Sequence, residues 1–497
     1  MNQYRSRRSA LATLTILTLS VWTQPARAEV GLVDVNGTPV TLTGWMRTRE
    51  YVWSYFQAGP VGGKTYENSY NYQANVLRLG LGYETEGVKL FAEIEDPALI
   101  NLPSNAIAPP PQGTLGLGGN YYQPQQQSSD ATLFLKQGFV EFGQQILKGF
   151  DIKGGRFEFN EGQDLMPADP QLRWIVNCQI SQRLIGNYQF SDVMRSFDGA
   201  VARYGNSQWN FTAMYGVPTR GVFDLNGMDE IRKTDVVYAA LNGQTAHRFG
   251  NALGRLFFIW YDDNRGLVPT DNQAPAAAAT NLSAIHIETV GADAATTVGI
   301  GPGVADAMVW GAYQFGDWGS QSQQSYAAVA QVGYRLVDAA WKPWLRFIYQ
   351  MSSGDSNPNN NVHGTFFQIL PTPRVYALNP IYNMMNNIDA GTELILAPMK
   401  NLESRTTMHA LWLSSSYDRW YAGGGAFDSH LFGYTGRPSF GKSYLGTEVD
   451  TGLLWKMSEH LTGGMFAGHF FGGSVVASNF PQGRGETFGY VESIFSF

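Results

Sequence analysis

The feature that most restricts this chain is a two-residue alternation that recurs along almost its whole length. From Asn75 to Tyr83, Leu77, Leu79, Leu81 and Tyr83 share one face, while Val76, Arg78, Gly80 and Gly82 share the other. In Gly154 to Phe159, Phe157 and Phe159 oppose Arg156 and Glu158. Between Gln208 and Gly216, Trp209, Phe211, Ala213 and Tyr215 alternate with Asn210, Thr212 and Met214. Leu345, Phe347 and Tyr349 alternate with Arg346 and Gln350, and Val449, Thr451, Leu453 and Trp455 oppose Glu448, Asp450 and Gly452. Period two is the spacing of β-strands with two unlike faces. No helical period persists beyond about two turns, so the expected class is all-β.

Two architectures bury such faces differently. In a soluble sandwich the apolar face points to a dry core; in a membrane barrel it points to lipid and the polar face lines a lumen. Three observations favour an antiparallel transmembrane β-barrel. The polar face carries glycine and charged residues, too little volume for a close-packed interior. Aromatic residues recur near strand ends, as in Trp341/Trp344 and Trp412/Tyr417/Trp420, which suits interfacial girdles. The chain ends on Ile494-Phe495-Ser496-Phe497, with Phe497 in phase with Phe495 and Val491 and Ser493 interrupting that apolar row. Composition agrees: 15% of residues are charged, against about 25% in soluble domains, while 13% are aromatic. No apolar run reaches the ~18 residues of a transmembrane helix. A lone Cys178 excludes a disulfide scaffold.

Residues 1–28 read as a secretory signal peptide. Arg5, Arg7 and Arg8 form a basic start, Ala10 to Trp22 an apolar and Thr-rich stretch, and Ala26-Arg27-Ala28 a small-x-small cleavage site. Cleavage near Ala28 removes four arginines and no acid, so 34 basic side chains become 30 against 41 acidic ones, a net charge of −11. Such a chain does not bind nucleic acid through a general basic field. Residues 29–497 read as one domain destined for the outer membrane, with long extracellular loops at Asn101 to Asp130, Gly266 to Gly303 and Ser352 to Lys400.

Several motifs carry chemistry in other settings. Gly436-Arg437-Pro438-Ser439-Phe440-Gly441-Lys442-Ser443 satisfies the P-loop pattern, but a strand-like alternation follows where a helix N-terminus is required. It reads as a loop. Asp355 to Asn361 resembles a calcium loop, yet Asn360 and Phe366 occupy the places that need Gly and Glu. The seven histidines are scattered, no Ser sits in a nucleophile elbow, and Cys178 has no activating neighbour. A wall-mounted Ser/His pair using His409 or His469 is the remaining enzymatic alternative. No metal-ligand spacing occurs; neither a cofactor nor a metal is expected, nor an enzyme.

The strand text resembles the alginate export family. Leu135-Lys136-Gln137-Gly138-Phe139-Val140-Glu141-Phe142 with Gly154-Gly155-Arg156-Phe157-Glu158-Phe159 resembles the paired strands before that family's GRQ turn, with Phe157 where its Gln would stand. Arg195-Ser196-Phe197-Asp198-Gly199-Ala200 resembles its RxFDG strand, and Ser353-Gly354-Asp355-Ser356-Asn357-Pro358 followed by Thr365-Phe366-Phe367 its SGD loop. Leu445 to Asp450 and Gly468 to Gly473 resemble its last two strands. The resemblance implies a monomeric barrel of about 18 strands, with outer-membrane lipid around it, an anionic polysaccharide inside it and a periplasmic export partner beneath it.

A pore selects through its radius and its rings of charge. Arg78, Arg156, Arg195 and Arg346 fall on the polar phase, where guanidinium forks match carboxylates. Glu158, Asp198, Glu448 and Asp450 share that phase and offer the opposite arrangement, lumenal ion pairs that hold the wall. These eight residues are the expected pore lining. The expected function is a channel for an alginate-like acidic polysaccharide, with a general or small-solute porin, marked by an inward constriction loop, as the alternative.

Overall fold

The computed structural model describes residues 30–143, 147–247 and 250–497, apart from the side chains of His247 and Val375. The expected signal peptide lies outside them. Among the described residues eighteen antiparallel strands close into a barrel. They are β1 (Thr38–Ser54), β2 (Ser69–Glu84), β3 (Val88–Ile100), β4 (Phe134–Gly143), β5 (Phe150–Phe157), β6 (Phe197–Gly205), β7 (Trp209–Pro218), β8 (Thr234–His247) and β9 (Gly250–Asp263). The second half comprises β10 (Ile285–Ile300), β11 (Gly303–Trp318), β12 (Gln321–Leu336), β13 (Trp344–Ser352), β14 (Ile388–Met399), β15 (Leu402–Trp412), β16 (Tyr444–Lys456), β17 (Leu461–Gly472) and β18 (Gly485–Ser496).

Each strand pairs with its neighbours in sequence, and β1 closes the ring by pairing with both β2 and β18. Closure satisfies every edge, which a sheet surrounded by lipid requires. The terminal residue finishes the seam: Phe497 and Gly44 exchange backbone hydrogen bonds of 2.9 and 3.0 Å. The Phe497 ring lies over Gly44, in the space that a Cβ there would occupy, so this crossing needs glycine.

Alternation sorts the side chains as the pattern demands. Leu81, Leu345, Phe347, Val449 and Trp455 are exposed on the outer surface, while Arg78, Arg346, Glu448 and Asp450 are buried inside. Trp341 is exposed, Trp344 turns inward to Asp306, and Trp420 is buried among the loops. The girdle expected of Trp344 and Trp420 is therefore not where those two residues lie.

The barrel has unlike ends. Turns such as 85–87, 206–208, 301–302 and 400–401 join strands at one end; long loops join them at the other. The loop expected at Asn101 to Asp130 is present, apart from a two-residue strand at its end. The loops expected at Gly266 to Gly303 and Ser352 to Lys400 are shorter, because Ile285–Ile300 and Ile388–Met399 are barrel strands. Ile285–Ile300 is rich in Ala, Thr and Gly, and neither strand contains an aromatic ring of Phe, Tyr or Trp to mark its outer face. The longest loop, residues 158–196, escaped the pattern altogether. It folds inward with a short helix, α1 (Pro170–Ile175), continuing into one π-helical turn at Val176–Ile180. Leu172, Trp174, Ile175, Ile180, Leu184 and Ile185 are buried there. Residues 353–387 fold in beside it, and Leu370 bridges to Ile185. These two loops supply the interior volume that the strands lack.

Candidate functional site

The inner wall and the inward loops meet in a layer of ion pairs. Arg78 on β2 is 2% exposed; it approaches Glu95 at 2.5 Å, Glu158 at 3.0 Å and Glu93 at 3.5 Å. Lys136 reinforces this cluster, 3.7 Å from Glu158. Arg47 binds Asp192 at 2.9 Å, and Arg49 binds Glu492 at 2.6 Å. Arg255 is held between Asp293, at 2.6 Å, and Glu161. Arg346 reaches Asp306 at 3.2 Å and Glu393 at 3.3 Å, and Arg405 shares Glu393. Buried charges persist only with partners of this quality.

These pairs have a consistent polarity. Three acids of the longest loop are engaged by wall arginines: Glu158 by Arg78, Glu161 by Arg255 and Asp192 by Arg47, while Asp164 and Asp169 accept from Tyr238 and Asn251. That loop's own arginines are not so engaged. Arg183 donates to the Gln179 carbonyl at 2.7 Å and to Gln350 at 3.0 Å, and its Nη2 has no partner among the described residues. Arg195 donates from Nη2 to the Gly424 carbonyl at 2.6 Å, leaving Nε and Nη1 without partners among the described residues. Neither has a carboxylate within ion-pair distance among the described residues. Burial pushes both guanidiniums down, to about 10, so both stay charged at neutral pH. Arg374, from the second inward loop, lies over the Phe466 and Phe190 rings with its Nη2 3.3 Å from the Tyr490 hydroxyl.

Of the eight residues expected to line a pore, Arg78, Glu158 and Arg346 meet in this layer. Arg195 lies in the loop that fills it. Glu448 and Asp450 face inward side by side, with no lysine or arginine within ion-pair distance among the described residues. Arg156 and Asp198 lie on the outer face instead. They form a bidentate pair, 2.7 and 2.6 Å, and share their phase with the exposed Tyr215, while Phe157 and Phe197 point inward. The reason is height. At the loop end the interior is packed by loops and wants aromatics, while the outer rim has left the hydrocarbon and accepts charge.

Sequence reasoning missed Arg183, Glu161, Asp192, Arg255 and Arg405. One signal for the first three existed: Trp174-Ile175-Val176 and Leu184-Ile185 are apolar runs inside a connection, and such a connection must be buried. The enzymatic alternative finds no support in these contacts. His409 bonds Asp389 at 2.8 Å and His469 bonds Thr487 at 2.8 Å, with no serine on either ring among the described residues. Burial also pushes the Cys178 thiol up, away from thiolate chemistry.

Residues 88–489 match the family described as alginate export. The chain belongs to the alginate export family. No curated protein sequence matches it. Among solved structures, the fold of this alginate export family barrel is similar to Pseudomonas aeruginosa OpdK with vanillate, at TM-score 0.53 and 8% identity, over 92% of this chain and 98% of that one. It is similar to P. aeruginosa OccK2 (OpdF) in complex with glucuronate, at TM-score 0.53 and 8% identity, over 92% and 96%. OccK8 (OprE) of the same organism gives 0.51 at 10% identity, over 92% and 98%. Identities this low carry the fold alone. Family and fold together make this an outer-membrane β-barrel channel.

Proposed function

We propose that this alginate export family channel passes carboxylate-bearing carbohydrate, an acidic polysaccharide or its oligomers. The observation that carries the reading is the asymmetry of the longest inward loop. Three of its five acids, Glu158, Glu161 and Asp192, are bound by wall arginines, while Arg183 and Arg195 remain charged, buried and without a carboxylate among the described residues. An unpaired buried guanidinium is costly and is relieved by an anion, and its planar fork fits a carboxylate. A passing uronate supplies that anion, and weak, repeated contacts let it leave again. Family membership supports the same substrate class.

A second reading has its own observation. Two inward loops narrow the lumen, which suits a porin for small carboxylate solutes and obliges a polymer to displace them. One recording separates the readings. In a planar bilayer under a salt gradient, the purified channel is expected to prefer anions, with concentration-dependent block by polyuronate; Arg183→Gln with Arg195→Gln weakens both. Cation preference without block would overturn anion transport altogether. A steady D-glucuronate current with no entry of the polymer would leave the small-solute porin.

A further inference from the structure

Two carboxylates of the inner wall stand apart from the ion-pair layer. Glu448 and Asp450, on β16, are 0% and 1% exposed. Alternation puts both on the inner face, and their carboxylates lie within hydrogen-bonding reach of each other. Among the described residues no donor reaches any of their four oxygens. The positive groups nearest Asp450, on Arg374, His409 and Arg405, stay outside ion-pair distance of it. The neighbouring wall acids are engaged: Asp389 by His409 at 2.8 Å, Glu393 by Arg346 at 3.3 Å, Glu486 by the Asn379 amide at 2.6 Å and Glu492 by Arg49 at 2.6 Å. The position opposite Asp450 on β17 is Gly468, and the Asp450 carboxylate lies in the space that a Cβ there would fill.

A separate group from the second inward loop points to the same place. Tyr382 is 2% exposed, its hydroxyl has no partner among the described residues, and the charges it feels most are those of Asp389, Glu448 and Asp450. Two buried carboxylates in contact repel unless a positive charge joins them. A shared proton joins two of the four oxygens and leaves the others and the Tyr382 hydroxyl unsatisfied; a cation with its waters reaches all of them. No set of three His, Cys, Asp or Glu converges as metal ligands among the described residues, which disfavours zinc and its neighbours. Two carboxylates and a neutral hydroxyl suit a hard divalent ion that keeps water at its remaining positions, and their two negative charges match its two positive ones. We infer that Glu448 and Asp450 hold a hard divalent cation of the calcium type, with the Tyr382 hydroxyl turned toward it from the loop. The cation neutralises a patch of wall where acids meet no base, and it ties the second inward loop to β16. This inference does not depend on what the channel carries.

The test is calorimetric titration of the full-length channel in detergent with calcium chloride, after dialysis against EGTA, at mildly alkaline pH where protons compete least. The wild type is expected to bind calcium at a site that Glu448→Gln with Asp450→Asn abolishes. The carboxamides remove a like-charge contact, so folding is not at stake. Gly468→Ala keeps both carboxylates and pushes the Asp450 side chain from its place; it is expected to weaken calcium at least about tenfold. Asp235, which accepts from the Tyr215 hydroxyl on the outer face, supplies the control for calcium held at the surface, and Asp235→Asn is expected to leave the affinity unchanged. Absence of calcium binding in the wild type would assign the pair a shared proton and overturn the site. So would wild-type affinity in the double variant or in Gly468→Ala, or a loss in Asp235→Asn equal to that in the double variant.

Discussion

The two ends of this barrel obey opposite rules. In the half nearer the turns, the inner wall is polar, with Arg78, Glu93, Asn210, Asn242, Asp306 and Arg405, and Leu81, Leu241 and Trp455 face outward. In the half nearer the loops, the inner wall is Tyr51, Trp53, Tyr72, Phe157, Phe197, Ile259, Ile287, Trp318 and Phe488. There the outer face takes the charge: Arg156 with Asp198, Asp235 with Tyr215, and Asp262 with His286. The difference teaches that alternation reports two unlike faces, and that height along the axis decides which is wet. Where loops fill the interior, the inside becomes a conventional packed core.

The sharpest way to break this contrast is Arg78→Ala, which leaves Glu93, Glu95 and Glu158 around a site without its arginine. A loss of about 3–5 kcal/mol is expected, read as a shift of the urea unfolding midpoint in detergent; Glu95→Gln added to it recovers part of the loss. A midpoint unchanged by Arg78→Ala would mean that the layer is solvated rather than structural.

The loop half answers to a smaller change. Trp318 stacks on His363 of the second inward loop, 4.1 Å between centroids, and donates to Asp271 at 3.0 Å. Trp318→Phe leaves that buried carboxylate short of a donor, a cost of about 2 kcal/mol. Hydrogen-exchange protection of residues 353–387 is expected to fall while the barrel strands keep theirs. Loss spread equally over the strands would show that loops and wall unfold as one unit.

Acidity tunes the same contact. Asp418 joins the loops through Thr365 Oγ1 at 2.6 Å, the Asp355 N–H at 2.9 Å and the Tyr421 hydroxyl at 2.6 Å. Burial outweighs these bonds and pushes its carboxyl up to about 6. A folded-state value above the unfolded one means that the protonated form is favoured in the fold. The stabilisation is complete below about 4 and is lost as pH rises through about 6. Exchange protection around 353–365 is therefore expected to fall up to about tenfold from pH 5 to pH 7. Asp418→Asn should flatten that profile, and a profile unchanged in the variant would assign the titration elsewhere.

The smallest effect belongs to the outer rim. Arg156→Gln removes half of a bidentate pair that lies outside the lumen. It is expected to cost less than about 1 kcal/mol and to leave the reversal potential where it was. A shift toward cation preference would place Arg156 in the ion path and dissolve the contrast between the halves.

Much of this was legible in the residues. The phases of Arg78, Arg346, Glu448 and Asp450 follow from alternation alone, because strand side chains have no third direction to take. The C-terminal Phe497 marked the seam strand. The alternation around Arg156 was read correctly as two faces and assigned to the wrong sides, since nothing local records that Phe157 faces a loop folded in from the same chain. Ile285–Ile300 was legible only faintly, because small residues on both faces blur the contrast, and Ile388–Met399 lacked the Phe, Tyr or Trp that marks the outer face of other strands. Glu161, Asp192 and Arg183 were not legible as a group, for no periodic element contains them.

What the sequence determined by itself is the class of solution: strands with one lipid-compatible face, too little inner volume for a sandwich core, and motifs in the order of the alginate export family. Lipid offers the backbone no hydrogen bonds, so such strands have a closed barrel as their one outlet. What only the tertiary structure decided is the content of the lumen. Arg47, Arg78 and Arg255 are neutralised by acids brought from residues 158–196, far away in the chain, while Arg49, Arg346 and Arg405 find theirs on other strands of the wall. Ion pairing is a property of distances in space, and alternation along one strand carries no measure of them.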